Sequence, residues 1–197
     1  MEEKIIAVAK QVFLEKGYEM TSMSDIAARV GINRPTLHYY FRTKERMFQA
    51  VAAPILDAFV PKIEGIIKAD CPFMDKVERL IDAYMPVFIE NPNLPRFVVG
   101  EMHRDIDNFL NLIGKFPTEH VLKLLLELLL DEMEKGNIRR VSLPVVMGTF
   151  YSQMTFPFLT ENMLTHLFFE EPGAYRKFLE EEWKPNMLSL MRHLLQP

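Results

Sequence analysis

Apolar residues recur at helical spacing along almost the whole chain. Ile5, Ala9, Val12 and Phe13 make one stripe, with Lys10, Glu15 and Lys16 outside it and Gly17 as a stop, which predicts a first amphipathic helix. Ser22 followed three residues later by Asp25 is a relative of the capping box and opens a second helix with Ile26, Ala27 and Val30 on one face. Gly31 ends it, because glycine alone enters the left-handed region without steric cost. Asn33 then caps a third short helix with Pro35 in its first turn. Thr43 is the predicted N-cap of a long fourth helix through Met47, Val51, Ile55 and Phe59, which Pro54 and Pro61 are expected to kink or shorten. Further helical patterns cover 73–89, 94–113, 118–135, 144–156 and 173–195, and the stretch 122–130, apolar almost all round, is expected at the centre of the body. No alternating run of strand type competes, so the predicted fold class is all-α. Residues 1–47 are expected to form an N-terminal three-helix helix-turn-helix domain, and residues 48–197 a second helical domain.

Composition narrows the setting. A chain of 197 residues, 49% hydrophobic, can bury a substantial core. A single cysteine, Cys71, excludes an intrachain disulfide, and the chain opens on no basic-then-apolar leader; both point to the cytoplasm. The charge-free run 141–159 approaches bilayer-spanning length. It nevertheless carries Ser142, Thr149, Ser152, Gln153 and Thr155 together with Pro144, Pro157 and Gly148, which favours a helix packed in protein and no membrane partner. The net charge of −4 argues against nucleic acid until its distribution is considered. Eight basic residues face six acidic ones in the first fifty positions, so the excess of negative charge lies beyond them.

Helix-turn-helix spacing occurs in many proteins that never touch DNA. The content of the third helix is more telling: Leu37 and Phe41 fall on its buried face, while Arg34, Thr36, Tyr39 and Tyr40 suit base edges and phosphates in a major groove. Lys44 stands at the start of the fourth helix, where backbone N–H groups and the helix dipole already favour a phosphate. The string Ile5-x-x-x-Ala9-x-x-x-Phe13-x-x-x-Gly17, Thr21-Ser22-x-x-x-Ile26-Ala27, Val30-Gly31-Ile32-Asn33-x-x-Thr36-Leu37-x-Tyr39-x-Phe41-x-x-Lys44-Glu45 resembles the DNA-binding domain of the TetR (tetracycline-repressor-like) family. Two departures stand out: His38 where the family usually has tyrosine, and Tyr40 where histidine is frequent. The resemblance implies a homodimer on a pseudo-palindromic operator in double-stranded DNA, repressing until a small molecule binds. It also implies Ser22, Thr36, Tyr39, Tyr40 and Lys44 at the DNA.

For the body, 13 Met and 15 Phe suggest an adaptable pocket for a small apolar or amphipathic effector. The candidate lining is Tyr84, Phe88, Met102, Phe109, Met147, Tyr151 and Met154, with His103 as a polar anchor. The dimer is expected on the last two long helices, through Gly148 and Ser152 on one and Phe178, Leu179, Trp183, Met187, Leu190 and Leu194 on the other. Glu101, His103, Asp105 and Asp107 could suggest a metal, but only His103 and Asp107 are helical i,i+4 neighbours, so neither metal nor cofactor is expected. No phosphate loop, two-histidine metal helix or nucleophile turn asks for an enzyme. The alternatives are a regulator with no small-molecule effector, and a helical adaptor or nonspecific nucleic-acid binder.

Overall fold

The computed structural model describes residues 1–197: twelve α-helices, one π turn and no strand. In order they are α1 (Glu2–Lys16), α2 (Met23–Val30), α3 (Arg34–Tyr40), α4 (Lys44–Lys68), α5 (Phe73–Glu90), α6 (Asn93–Arg104), α7 (Ile106–Ile113), α8 (Thr118–Glu134), α9 (Leu143–Leu159), α10 (Glu161–Phe168), α11 (Ala174–Phe178) and, after the π turn Leu179–Trp183, α12 (Lys184–Leu195). None is long and apolar enough to cross a membrane.

The chain divides into two compact units, Met1–Val60 with Arg96–Thr118, and Pro61–Pro95 with Glu119–Pro197. This division differs from a boundary at 47/48, and the reason lies in α6 and α7. Phe97, Phe109 and Leu112 join Ile5, Ala9, Val12, Phe13, Ile26, Leu37 and Met47 in one buried core. Phe13, Tyr18, Phe48 and Phe97 continue that core as a chain of ring contacts with centroids 5.3–5.9 Å apart. The second unit has its own core, in which Val77, Ile81 and Met85 of α5 meet Val146, Met154 and Phe158 of α9 and Met187, Met191 and Leu195 of α12.

Five features depart from the pattern read along the sequence. Helix α4 runs 25 residues without interruption, so Pro54 and Pro61 do not shorten it. Each proline forfeits one backbone bond, while Val60, Ile63 and Ile67 keep the helix anchored by burial. The stretch 94–113 is two helices: Asp105 breaks it and its side chain caps α7, accepting from the Asn108 N–H at 3.0 Å. Helix α8 buries only Val121, Leu129 and Met133, and Leu122 and Leu130 are 42% and 48% exposed, so it lies at the surface of its unit and not at the centre. The stretch 173–195 is broken by the π turn, and 161–168, which none of the predicted helical patterns covers, forms α10.

Candidate nucleic-acid interface

The head is fixed by local chemistry. Ser22 Oγ accepts from the Asp25 N–H at 3.1 Å, and the Asp25 carboxylate accepts from the Ser22 N–H at 2.9 Å, completing a reciprocal capping box. The Ser22 hydroxyl also donates to that carboxylate. Lys16, 2.8 Å away, and Ser22 together hold the Asp25 carboxyl well below the usual carboxylate range. Gly31 closes α2 at φ 83°, ψ 32°, the left-handed region, and turns the chain into α3. Asn33 caps α3 by accepting from the Thr36 N–H at 2.8 Å. Thr43 does the same for α4, accepting from the Arg46 N–H at 3.1 Å. Two surface ion pairs, Lys16 with Asp25 and Arg29 with Glu15, brace α1 against α2.

Helix α3 buries only Leu37. Arg34 is exposed, Thr36 and Tyr40 are half-buried, and the Tyr39 ring is 84% exposed. Tyr39 and Tyr40 meet edge to face at 5.3 Å. Arg34 Nε donates to His38 Nε2 at 3.1 Å, and His38 Nδ1 lies 3.2 Å from the Arg42 carbonyl oxygen. Arg34, Thr36, His38, Tyr39 and Tyr40 share one helix seven residues long. Of the other two sequence-predicted contacts, Ser22 is exposed at the start of α2, while Lys44 is already engaged. The Lys44 ammonium donates to the Tyr18 and Glu19 carbonyls at 3.1 and 3.4 Å and sits 4.3 Å from the centre of the Tyr18 ring. Lys44 therefore holds the α1–α2 turn.

That turn reveals a residue whose role the sequence did not suggest. Glu101, only 5% exposed, accepts from the Tyr18 N–H at 3.1 Å and from Arg104 at 2.8 Å. It lies so close to Gly17 that a Cβ there would come within 2.8 Å of Glu101 Oε1, and φ at Gly17 is +84°. Asn108 adds a bond of 2.9 Å to the Glu19 carboxylate, and Lys115 pairs with Glu45 at 2.9 Å. The acidic residues around position 103 thus divide between anchoring and capping, and no group of three or more acids, histidines or cysteines is placed to hold a metal.

The effector candidates fall in both units. Met102 and His103 are exposed on α6, and Phe109 is buried in the core of the first unit. Tyr84, Phe88, Met147, Tyr151 and Met154 come together in the second. There Phe158, Phe88, Tyr84, Phe150 and Tyr151 form a ladder of ring contacts 5.6–6.0 Å apart. The Tyr84 phenol is pushed well above its ordinary value, first by burial and then by its hydrogen-bonded neighbour Tyr151. Met154 is 1% exposed, a core residue.

The dimer candidates divide as well. Gly148, Ser152 and Leu190 are exposed, and Phe178, Trp183 and Leu194 are partly buried against the core. Leu179 at 3% and Met187 at 0% exposure are interior, which corrects their assignment to a partner face. The apolar face that carries Leu179 and Met187, together with Met191 and Leu195, is covered by α5 and α9 of the same chain.

Comparison with known proteins agrees with this geometry. Residues 5–51 match the family of bacterial regulatory proteins of the tetR type. An uncharacterized HTH-type transcriptional regulator of Bacillus subtilis, YvdT, is 31% identical over 104 residues, which is 53% of this chain and 47% of that protein; the chain thus spans about half of that relative's length. The fatty acid metabolism regulator protein of Bacillus subtilis is 22% identical over 163 residues, covering 77% of this chain and 80% of its own. The fatty acid degradation regulator FadR from Bacillus halodurans shares the fold with a TM-score of 0.63 at 20% identity, over 98% of this chain and 93% of its own. These relatives are regulators, not enzymes. Residues 5–51 are thus a reading head of the tetR type, and the chain as a whole shares the all-helical fold of solved TetR-family regulators.

Proposed function

We propose that the protein is a sequence-specific DNA-binding transcriptional repressor, acting as a homodimer on a pseudo-palindromic operator. The observation that carries this reading is the outward face of α3. A tyrosine ring 84% exposed lies beside Arg34, Thr36 and Tyr40 on a helix held by the Asn33 cap and a buried leucine. An α3 helix in a major groove gives all four side chains partners. The test is competition between a selected operator duplex and random DNA at fixed salt, where a specific regulator prefers the operator by about a thousandfold or more. Equal affinity for both would identify a nonspecific binder instead.

The homodimer reading rests on the exposed face of α9. Val145, Gly148, Ser152 and Phe156 repeat at helical spacing, with Val145 49% and Phe156 45% exposed, and Leu190 of α12 is 41% exposed. Such an uncharged face suits a second copy of itself. Val145→Asp together with Leu190→Asp is expected to give monomers by sedimentation and to weaken operator binding; intact dimers would remove this assignment.

Effector control would use the aromatic ladder of Tyr84, Phe88, Phe150, Tyr151 and Phe158, an apolar cluster in the second unit suited in chemistry to an apolar or amphipathic molecule. The relative that regulates fatty acid metabolism makes acyl compounds the first class to try. A compound that regulates must bind one state of the repressor better than the other. A hit that raises the melting temperature without changing operator affinity would leave a regulator with no small-molecule control.

A further inference from the structure

We infer that His38 is the positioning residue for operator reading, fixing the Arg34 guanidinium so that its terminal amino groups recognise one base pair in each half-site. The inference rests on the DNA-binding reading above and adds to it a residue that does not itself touch the base.

The chemistry begins with the ring. The Arg42 carbonyl oxygen, 3.2 Å from His38 Nδ1, can only accept, so Nδ1 carries the hydrogen and donates. Nε2 is then bare, and Arg34 Nε, 3.1 Å away, can only donate. One neutral tautomer satisfies both contacts. The opposite tautomer would set N–H against N–H on one side and lone pair against lone pair on the other. The backbone of the α3–α4 turn thus sets the tautomer, and the tautomer makes Nε2 an acceptor for arginine.

Arg34 is the first residue of α3, behind the Asn33 cap and before Pro35, at the end of a recognition helix that reaches base edges. With Nε bound to His38, its two terminal nitrogens keep four N–H groups, the set that pairs bidentately with guanine O6 and N7. A long exposed side chain held in advance loses less freedom on binding, and the difference appears as affinity for the base pair it reads.

The test selects bound sequences from a random duplex library with the full-length protein and with Arg34→Ala, His38→Phe and His38→Gln. Affinities are then measured on the selected operator and its single-base-pair variants. Because preference is a ratio within one protein sample, partial misfolding of a variant cancels. Arg34→Ala is expected to lose preference at one symmetry-related pair of positions. His38→Phe, which keeps a ring but has no acceptor, is expected to lose about two- to tenfold of the same preference. His38→Gln, with an amide oxygen at similar reach, is expected to restore it, and Arg34→Ala with His38→Phe is expected to be no worse there than Arg34→Ala alone. Three results overturn the inference: no position lost in Arg34→Ala, an unchanged preference in His38→Phe, or a loss that His38→Gln does not recover. If the unaltered protein enriches no sequence at all, the DNA-binding reading itself fails, and that outcome is distinct from the other three.

Discussion

Removing the Glu101 side chain tests how the head is held. Its carboxylate is the acceptor for the buried Tyr18 N–H at 3.1 Å and pairs with Arg104, whose side chain is 40% exposed. A hydrogen bond to a charged partner contributes about 1.5–3 kcal/mol, whereas an ion pair open to solvent contributes about 1 kcal/mol or less. Glu101→Ala strands the Tyr18 N–H and leaves a void beside Gly17, so the expected loss is about 2–4 kcal/mol. Glu101→Gln keeps an acceptor and is expected to cost about 1 kcal/mol, as is Arg104→Ala. For a chain of this length the alanine variant should melt roughly 4–16 °C lower. Urea unfolding followed by far-UV circular dichroism gives the free energies, provided the slope with denaturant is unchanged. Amide exchange at Tyr18 should be faster in the alanine variant and not in the glutamine variant. Trp183, the only tryptophan, lies in the second unit and reports separately on its unfolding. Loss of less than about 0.5 kcal/mol in Glu101→Ala, or an equal loss in Arg104→Ala, would refute the assignment of the main contribution to the Tyr18 bond.

Three further outcomes follow from named contacts. Lys76, 8% exposed, donates to the Ile67 and Ala69 carbonyls at 2.7 and 2.6 Å and so closes the C-terminal end of α4; Lys76→Met should cost about 2–4 kcal/mol in urea unfolding. The Asp25 carboxyl is held below its ordinary range in the folded head, so its contribution is fully present above about pH 4 and is lost as pH falls through the lower folded value; the stability gap between wild type and Asp25→Asn should be constant from pH 7 to 5 and close in stronger acid. Lys44→Ala should weaken operator and random DNA alike, reduce the salt dependence by about one phosphate contact, and lower head stability by about 1 kcal/mol through the lost carbonyl and ring contacts.

Where a residue's task is local, the sequence showed it. Ser22, Asn33 and Thr43 each bond a backbone N–H three residues on, a relation visible in the spacing alone, and Gly31 marks its turn by the absence of a side chain. The same holds for Leu37, which sits on the one face of α3 that must be buried. Long-range pairings left no comparable trace. The Tyr18 contact with Glu101 spans 83 residues and the Glu19 contact with Asn108 spans 89, so nothing near position 101 announces that α6 belongs with the head. The leucines of α8 failed for another reason: apolar residues on every side do not say which side is covered, and only Val121, Leu129 and Met133 are. The apolar stripe through Leu179 and Met187 is legible too, but not what covers it, and both residues pack into the core with α5 and α9 of the same chain. Asp105 did carry a legible signal, since an aspartate before an apolar residue is a helix cap, but the apolar spacing on either side concealed the break.

The α1–α2 turn concentrates these long-range contacts. Its Tyr18 N–H goes to Glu101 of α6, its Tyr18 and Glu19 carbonyls go to Lys44 of α4, and its Glu19 carboxylate goes to Asn108 of α7. The next residues, through Thr21 and Ser22, start the helix that leads into α3. Three elements outside the helix-turn-helix therefore grip the short segment that sets where α2 begins. A rearrangement of α6 that withdrew the Glu101 carboxylate would leave a buried N–H without a partner, an expensive state that the turn can escape only by moving. Movement of the turn carries α2 with it through the capping box. If a ligand regulates DNA reading through α6, as the proposed control would allow, it must change the free energy of that one carboxylate contact, and a ligand that leaves it equally satisfied in both states has no purchase on α3 by this route.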